Sequence, residues 1–167
     1  LGPGDHARSG LAEDAIPAVD PLAREESLLR ASLLPGLLRA AAFNAGRRRP
    51  DLGLFEIGHT FRRPSAPAEL PDEREMLGVV LAGAAVGDVG AGAAGVVNLV
   101  RRLCASLRLG DWELVSGGAP GLHPGRTVAV HVEGVVAGHA GEVDPAVAER
   151  WGIEGRLGWM GLDMVGL

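Results

Sequence analysis

Lysine and tyrosine are absent from this 167-residue chain, and cysteine occurs once. With Cys104 alone, no internal disulfide and no CxxC metal site can form, and a reducing, cytoplasmic setting fits best. Three tryptophans and three phenylalanines make up the whole aromatic complement, 4% of residues, so a base-stacking platform for single-stranded nucleic acid is not on offer. All 16 basic residues are arginines, against 21 acids, which gives a net charge of −5. A free-standing nucleic-acid binder is expected to be basic, and this balance argues against one. No apolar run reaches the roughly 18–20 residues that span a bilayer, so no membrane partner is expected. The opening Leu1-Gly2-Pro3-Gly4-Asp5 lacks the basic end and apolar stretch of a signal peptide. It also lacks an initial methionine, which suggests a piece of a longer protein.

What is present is a globular composition, 47% apolar and 22% charged. The length fits a single domain covering residues 1–167, with 1–14, rich in Gly, Pro and charge, as a loop or a linker from a preceding domain. A short strand is expected at Ala15–Val19, stopped by Asp20-Pro21. The clearest helix is Leu33–Ala45, with Ser32 as cap, Pro35 in the first turn and Gly46 closing the end. Arg47, Arg48 and Arg49 follow where the helix dipole favours cations. Leu52–Arg62 alternates as a strand, with Phe55, Ile57 and Phe61 on one face. Further strands are expected at Met76–Ala82, Trp112–Val115, Thr127–Val132, Val135–Gly141 and Leu157–Met164, with Glu133-Gly134 as a hairpin turn. Helices are expected at Val96–Leu109 and, capped by Asp144, at Pro145–Trp151. Antiparallel hairpins interspersed with helices make an α+β domain.

Several residue patterns invite a chemical reading. Gly90-Ala-Gly92-Ala-Ala-Gly95 matches GxGxxG, and Glu113 lies about twenty residues on, as the ribose-binding acid of a dinucleotide fold would. Val86-Gly87-Asp88-Val89 separates these glycines from the preceding strand, however, and the expectation is a flexible surface loop without a ligand. His131 and His139 fall on adjacent strands but have no third ligand, a weak basis for a metal site. Glu25, Glu26 and Glu56 are not spaced to surround a nucleophile. Cys104, on the apolar side of its helix, reads as a small core residue.

Four ordered blocks are more specific. They are Asp20-Pro-Leu-Ala-Arg-Glu-Glu-Ser-Leu-Leu-Arg30 continuing through Ala-Ser-Leu-Leu-Pro35-Gly36-Leu-Leu38 to Asn44; Leu54-Phe55-Glu56-Ile57-Gly58-His59-Thr60-Phe61; Leu122-His123-Pro124-Gly125-Arg126; and Gly138-His139-Ala140-Gly141-Glu142-Val143-Asp144-Pro145. In order and content they resemble the bacterial phenylalanine–tRNA ligase beta chain, with Asp20, Ala31 and Asp144 departing from its usual Asn, Thr and His. Pro35, Gly36, Glu56, Gly58, His123, Pro124, Gly125 and Arg126 are the signature positions. His123 reads as a turn-forming element, and Arg126 is available to a carboxylate or a backbone carbonyl.

The resemblance implies a class II aminoacyl-tRNA synthetase-like antiparallel sheet flanked by helices. It implies a catalytic alpha subunit as partner in an α2β2 assembly, which holds the phenylalanine and ATP sites, and tRNA engaged through the complete enzyme. ATP and magnesium are expected there, and no cofactor, metal or catalytic residue in this chain. An active class II core carries Arg-x-Glu after its second-motif strand and a glycine-rich segment ending in arginine. Here Arg62-Arg63-Pro64 has proline at the glutamate position, and Gly158-Trp-Met-Gly-Leu-Asp163 is no substitute for the second device.

The helix ahead of that strand is expected at a subunit interface through Leu33, Leu34, Leu37, Leu38, Ala41 and Phe43, because its apolar arc is wider than one covered face requires. A second reading is a free-standing degenerate paralogue, or a dinucleotide-binding module using Gly90–Gly95.

Overall fold

The computed structural model describes residues 1–12, 15–23, 26–47, 51–64, 66, 69–83, 90–165 and 167. The elements are α1 (Pro3–Arg8), α2 (Leu34–Ala45), β1 (Leu52–Arg62), β2 (Asp72–Ala82), α3 (Gly92–Leu107), β3 (Trp112–Ser116), β4 (Leu122–Val132), β5 (Val135–Val143), α4 (Pro145–Arg150) and β6 (Leu157–Asp163). The strands form one six-stranded sheet in the order β1-β2-β6-β5-β4-β3. Every neighbouring pair is antiparallel. The α+β expectation holds.

Strand alternation divides the apolar residues between two cores. Val80, Ala82, Leu157 and Trp159 meet Leu34, Leu37, Leu38 and Ala41 of α2 and Val147 and Trp151 at α4 on one side. Val79, Leu81, Met160, Leu162, Val130 and Ala140 meet Val96, Val100 and Cys104 of α3 on the other. Burial excludes water from Cys104 and pushes its thiol pKa up, which suits a packing role.

Local chemistry accounts for the elements predicted well. β1 has its expected bounds. Glu133 (φ 51°) and Gly134 (φ 76°) make the β4–β5 turn, both left-handed as a type I′ turn requires. Asp144 caps α4, its carboxylate accepting from the Ala146 amide at 2.8 Å.

Other elements correct the sequence reading. The expected 1–14 loop contains α1. The Asp5 carboxylate accepts from the Gly2 amide at 2.8 Å and pairs with Arg39 of α2. Arg8 lies over the Trp151 ring, 4.2 Å from its centroid, and the Trp151 indole donates to Ser9 at 3.2 Å. These contacts are with α2 and α4, so the local glycine and proline content concealed them. Ala15–Val19 forms no strand, only an isolated bridge between Pro17 and Leu28. β2 and β4 begin earlier than expected, because pairing with β1 and β5 extends them through polar residues.

The Gly90–Gly95 loop is also corrected, although its Val86–Val89 lead-in lies outside the described residues. Gly92 starts α3, and both Gly92 and Gly95 are buried. A Cβ on Gly95 would fall 2.6 Å from the Gly90 carbonyl oxygen, and one on Gly158 would strike the Gly92 carbonyl. These glycines let a helix end lie close on β6. With every described pair antiparallel, the parallel β–α–β crossover behind the dinucleotide fingerprint is absent from the described sheet.

Candidate functional site

The four signature blocks meet in pairs. Arg30 of the first block pairs with Glu56 on β1, and its Nε donates to the His59 carbonyl at 2.7 Å. The Phe61 amide in turn donates to the Arg30 carbonyl at 2.8 Å. A Cβ on Gly58 would collide with the Arg30 guanidinium, so glycine there makes room for the clamp. Pro35 is buried in the first turn of α2, and a Cβ on the following Gly36 would come 3.9 Å from Glu56 Oε2.

The other two blocks meet at a bulge in β4. The β4–β5 register breaks between Leu122 and Thr127. His123 Nδ1 accepts from the Gly125 amide at 3.1 Å, and the Thr127 hydroxyl donates to the His123 carbonyl at 2.7 Å. This is the turn-forming role expected of His123. Pro124 is exposed on the bulge. Arg126 then reaches Glu142 on β5 at 2.7 Å, and Glu142 keeps only 3% exposure, with Arg156 at 3.8 Å as a second cation. Gly141 permits the arrangement, since a Cβ there would strike the Arg126 carbonyl and lie 2.7 Å from Thr127 Cα.

Between the clamps, a cleft of about 490 Å³ opens on the α2 side of the sheet, running from β1 across β2 and β6 to β5. Thr60 and Arg62 stand at its β1 end. Arg74 lies beside them, held between Asp72 at 2.8 Å and Asp163 at 2.9 Å. Hydrogen bonds to Asp72 first and Asp163 second raise the Arg74 pKa further and stabilise its charge. Trp159 crosses the floor, where a Cβ on Gly78 would come 3.0 Å from the indole and one on Gly161 2.9 Å.

At the β5 end stands His139. Burial lowers its pKa, and the charge of nearby His131 lowers it further, so the imidazole is neutral at pH 7. Among the described residues no three of His, Cys, Asp and Glu gather as a metal site would need. Also among them, no helix is long and apolar enough to cross a membrane.

The six residues expected at an interface separate. Leu33, Leu34, Leu37, Leu38 and Ala41 are buried in the chain's own core, leaving Phe43, 60% exposed with Arg47 over its ring. The apolar width of the helix is thus largely used within the domain, between the sheet and the loop segments beside it. Arg48 and Arg49 lie outside the described residues. Sequence reasoning missed the partners Arg30 and Glu142, the Arg74–Asp163 pair and the buried Trp159. Glu142 sits inside a signature block, and a carboxylate between apolar strand residues was the available signal.

Comparison with known proteins follows the same residues. A family model described as the phenylalanyl tRNA synthetase beta chain CLM domain matches residues 5–164. The phenylalanine–tRNA ligase beta subunit of Symbiobacterium thermophilum is 38% identical over 144 residues, 83% of this chain and 16% of that protein. That of Staphylococcus haemolyticus is 37% identical over 155 residues, 86% of this chain and 19% of that protein. The chain therefore spans less than a fifth of the length of either relative. Among solved structures, pyrrolysyl-tRNA synthetase from Desulfitobacterium hafniense aligns with a TM-score of 0.72 at 19% identity, over 98% of this chain and 57% of that one. At that identity the likeness is one of fold, and it bears out the class II synthetase-like sheet flanked by helices.

Proposed function

The chain belongs to the phenylalanyl tRNA synthetase beta chain family, as its CLM domain, and from that membership we propose that it is a non-catalytic synthetase-like core that pairs with the catalytic alpha subunit. The assembly is an α2β2 phenylalanine–tRNA ligase of the cytoplasm. ATP, magnesium and phenylalanine are bound by the alpha subunit, and tRNA is engaged by the complete enzyme.

The cleft carries this reading. Its floor is occupied by the Trp159 indole lying over Gly78 and Gly161, where a reacting ligand would need access to the sheet. Arg74 is already neutralised by Asp72 and Asp163, so it offers little to a transferring phosphate. Arg62 remains as an exposed cation, but the chain continues Arg63-Pro64 and lacks the carboxylate two residues on.

The purified chain is expected to show no phenylalanine-dependent ATP–pyrophosphate exchange; exchange above the no-protein level would overturn the reading. In the complete enzyme, Arg62→Ala is expected to leave aminoacylation within about twofold of wild type. A loss of roughly a hundredfold would give the cleft a part in the chemistry.

The proposed contact with the alpha subunit uses the exposed end of α2 around Phe43. Phe43→Glu is expected to weaken subunit association by about 2 kcal/mol, as for an interface anchor, without lowering the melting temperature of the isolated chain. Titration calorimetry with the alpha subunit measures the first quantity and calorimetric unfolding the second.

A further inference from the structure

Two buried hydrogen-bond donors line the cleft on the α2 side of the sheet. Thr60 is 4% exposed and Trp159 7%. Among the described residues nothing hydrogen-bonds the Thr60 hydroxyl or the Trp159 indole N–H. Buried threonine and tryptophan ordinarily find a partner. Elsewhere in this fold they do: Thr127 donates to the His123 carbonyl at 2.7 Å, and Trp151 to the Ser9 hydroxyl at 3.2 Å. The two open donors share one cavity.

They stand toward opposite ends of it. The Nε1 edge of the indole lies over Gly161, 3.2 Å from where a Cβ there would stand. Gly161 pairs with Gly78 and Thr60 with Arg74, so the donors are four residues of β2 apart, about 13 Å along the strands. Met76 lies between them, and Leu11, Leu33, Leu34 and Leu122 form apolar walls. Segments 31–34 and 119–122 flank the cleft, so the domain itself supplies the lining, whatever lies beyond the mouth.

The charges around the cleft are matched. Arg74 bonds both Asp72 and Asp163, and Arg62 is paired with Asp72 in the β1–β2 ladder. The second Asp163 oxygen accepts from the Val165 amide at 3.0 Å. Two cations against two anions leave nothing to neutralise an ionic ligand, and an unpaired charge is costly to bury. We propose that the cleft binds a small uncharged molecule, apolar along its middle, with carbonyl oxygens that accept from Thr60 and Trp159. Its volume of about 490 Å³ is that of a small-molecule site. Blocked amides and esters are of this chemical class; phosphates and free amino acids are not.

Equilibrium dialysis of the complete ligase against radiolabelled acetyl-leucyl-alaninamide tests the site. The outer carbonyls of this blocked dipeptide lie about 7 Å apart when extended. Two hydrogen bonds of about 2.9 Å then span the separation. One molecule per domain is expected to bind, with a Kd on the order of 0.1–1 mM. Acetyl-leucyl-alanine, which adds a carboxylate, and leucyl-alaninamide, which adds an ammonium, should each bind at least about tenfold more weakly. Thr60→Val keeps the side-chain shape and loses the hydroxyl, and should weaken binding about fivefold; Thr60→Ser should restore it. Trp159→Phe keeps a ring on the floor without its N–H and should cost a similar factor.

No saturable binding by the complete ligase, or equal binding of the neutral and charged dipeptides, would overturn the proposal. Binding that Thr60→Val and Trp159→Phe both leave unchanged would place the molecule elsewhere and overturn it too. The charge series needs no variant, so it decides the matter even if a substitution disturbs folding. Binding is read without turnover, so its result is separate from that of the pyrophosphate-exchange assay.

Discussion

Arg30 holds Glu56 toward one edge of the sheet with 33% and 35% of the two side chains still in water. Toward the other edge Arg126 holds Glu142, which keeps 3%. Each clamp joins two signature blocks distant in the sequence, and each is made possible by a glycine, Gly58 in one and Gly141 in the other. Burial separates them. A half-exposed carboxylate released from its arginine returns to water at little cost. A buried one has nowhere to go, so removing its partner leaves a charge in a medium that solvates it poorly. The first clamp acts mainly as a strap locating the segment before α2. The second belongs to the packing of β4 on β5.

The largest effect that would test this contrast is expected from Arg126→Met, which should cost about 3 kcal/mol in urea unfolding. Arg30→Met should cost about 1 kcal/mol, including its hydrogen bond to the His59 carbonyl. Equal losses would mean that burial does not distinguish the clamps.

The glycines should repeat the order. Gly141→Ala places a methyl group against the β4 backbone and is expected to cost about 2–3 kcal/mol, as overpacking does. Gly58→Ala meets the far end of the flexible Arg30 side chain and should cost about half as much. Thermal unfolding of both variants checks this, and a larger loss for Gly58→Ala would reverse the ranking.

The smallest effect is a pH dependence at the β5 end of the cleft. Burial lowers the His139 pKa in the folded chain, so the unfolded chain binds the proton more readily. The stability His139 permits is complete above the ordinary imidazole pKa of about 6.5 and declines as pH falls through its lowered folded value. His139→Gln should flatten the slope of stability against pH on the acid side, measured by urea unfolding between neutral and mildly acidic pH. An unchanged slope would place the titration elsewhere.

Much of this organisation was legible in the residues alone. Alternation and flanking turn residues located β1, the Glu133-Gly134 turn and the Asp144 cap, because those signals act over a few positions of chain. The ordered motifs identified the family and with it the sheet. Arg126 was expected to meet a carboxylate or a carbonyl, and the fold selected Glu142.

Other features depend on what lies across the sheet rather than beside a residue in the chain. α1 is held by Arg39 and Trp151, and the start of α3 by its close approach to Gly158; neither leaves a local pattern. Strand alternation put Phe55 and Ile57 on one face of β1, but only the placement of α3 decided that this face is open to water. The apolar arc of α2 was visible as well. That the domain itself covers Leu33, Leu34, Leu37, Leu38 and Ala41 followed from the packing around the helix, because hydrophobicity along a chain shows that a surface must be covered and not what covers it.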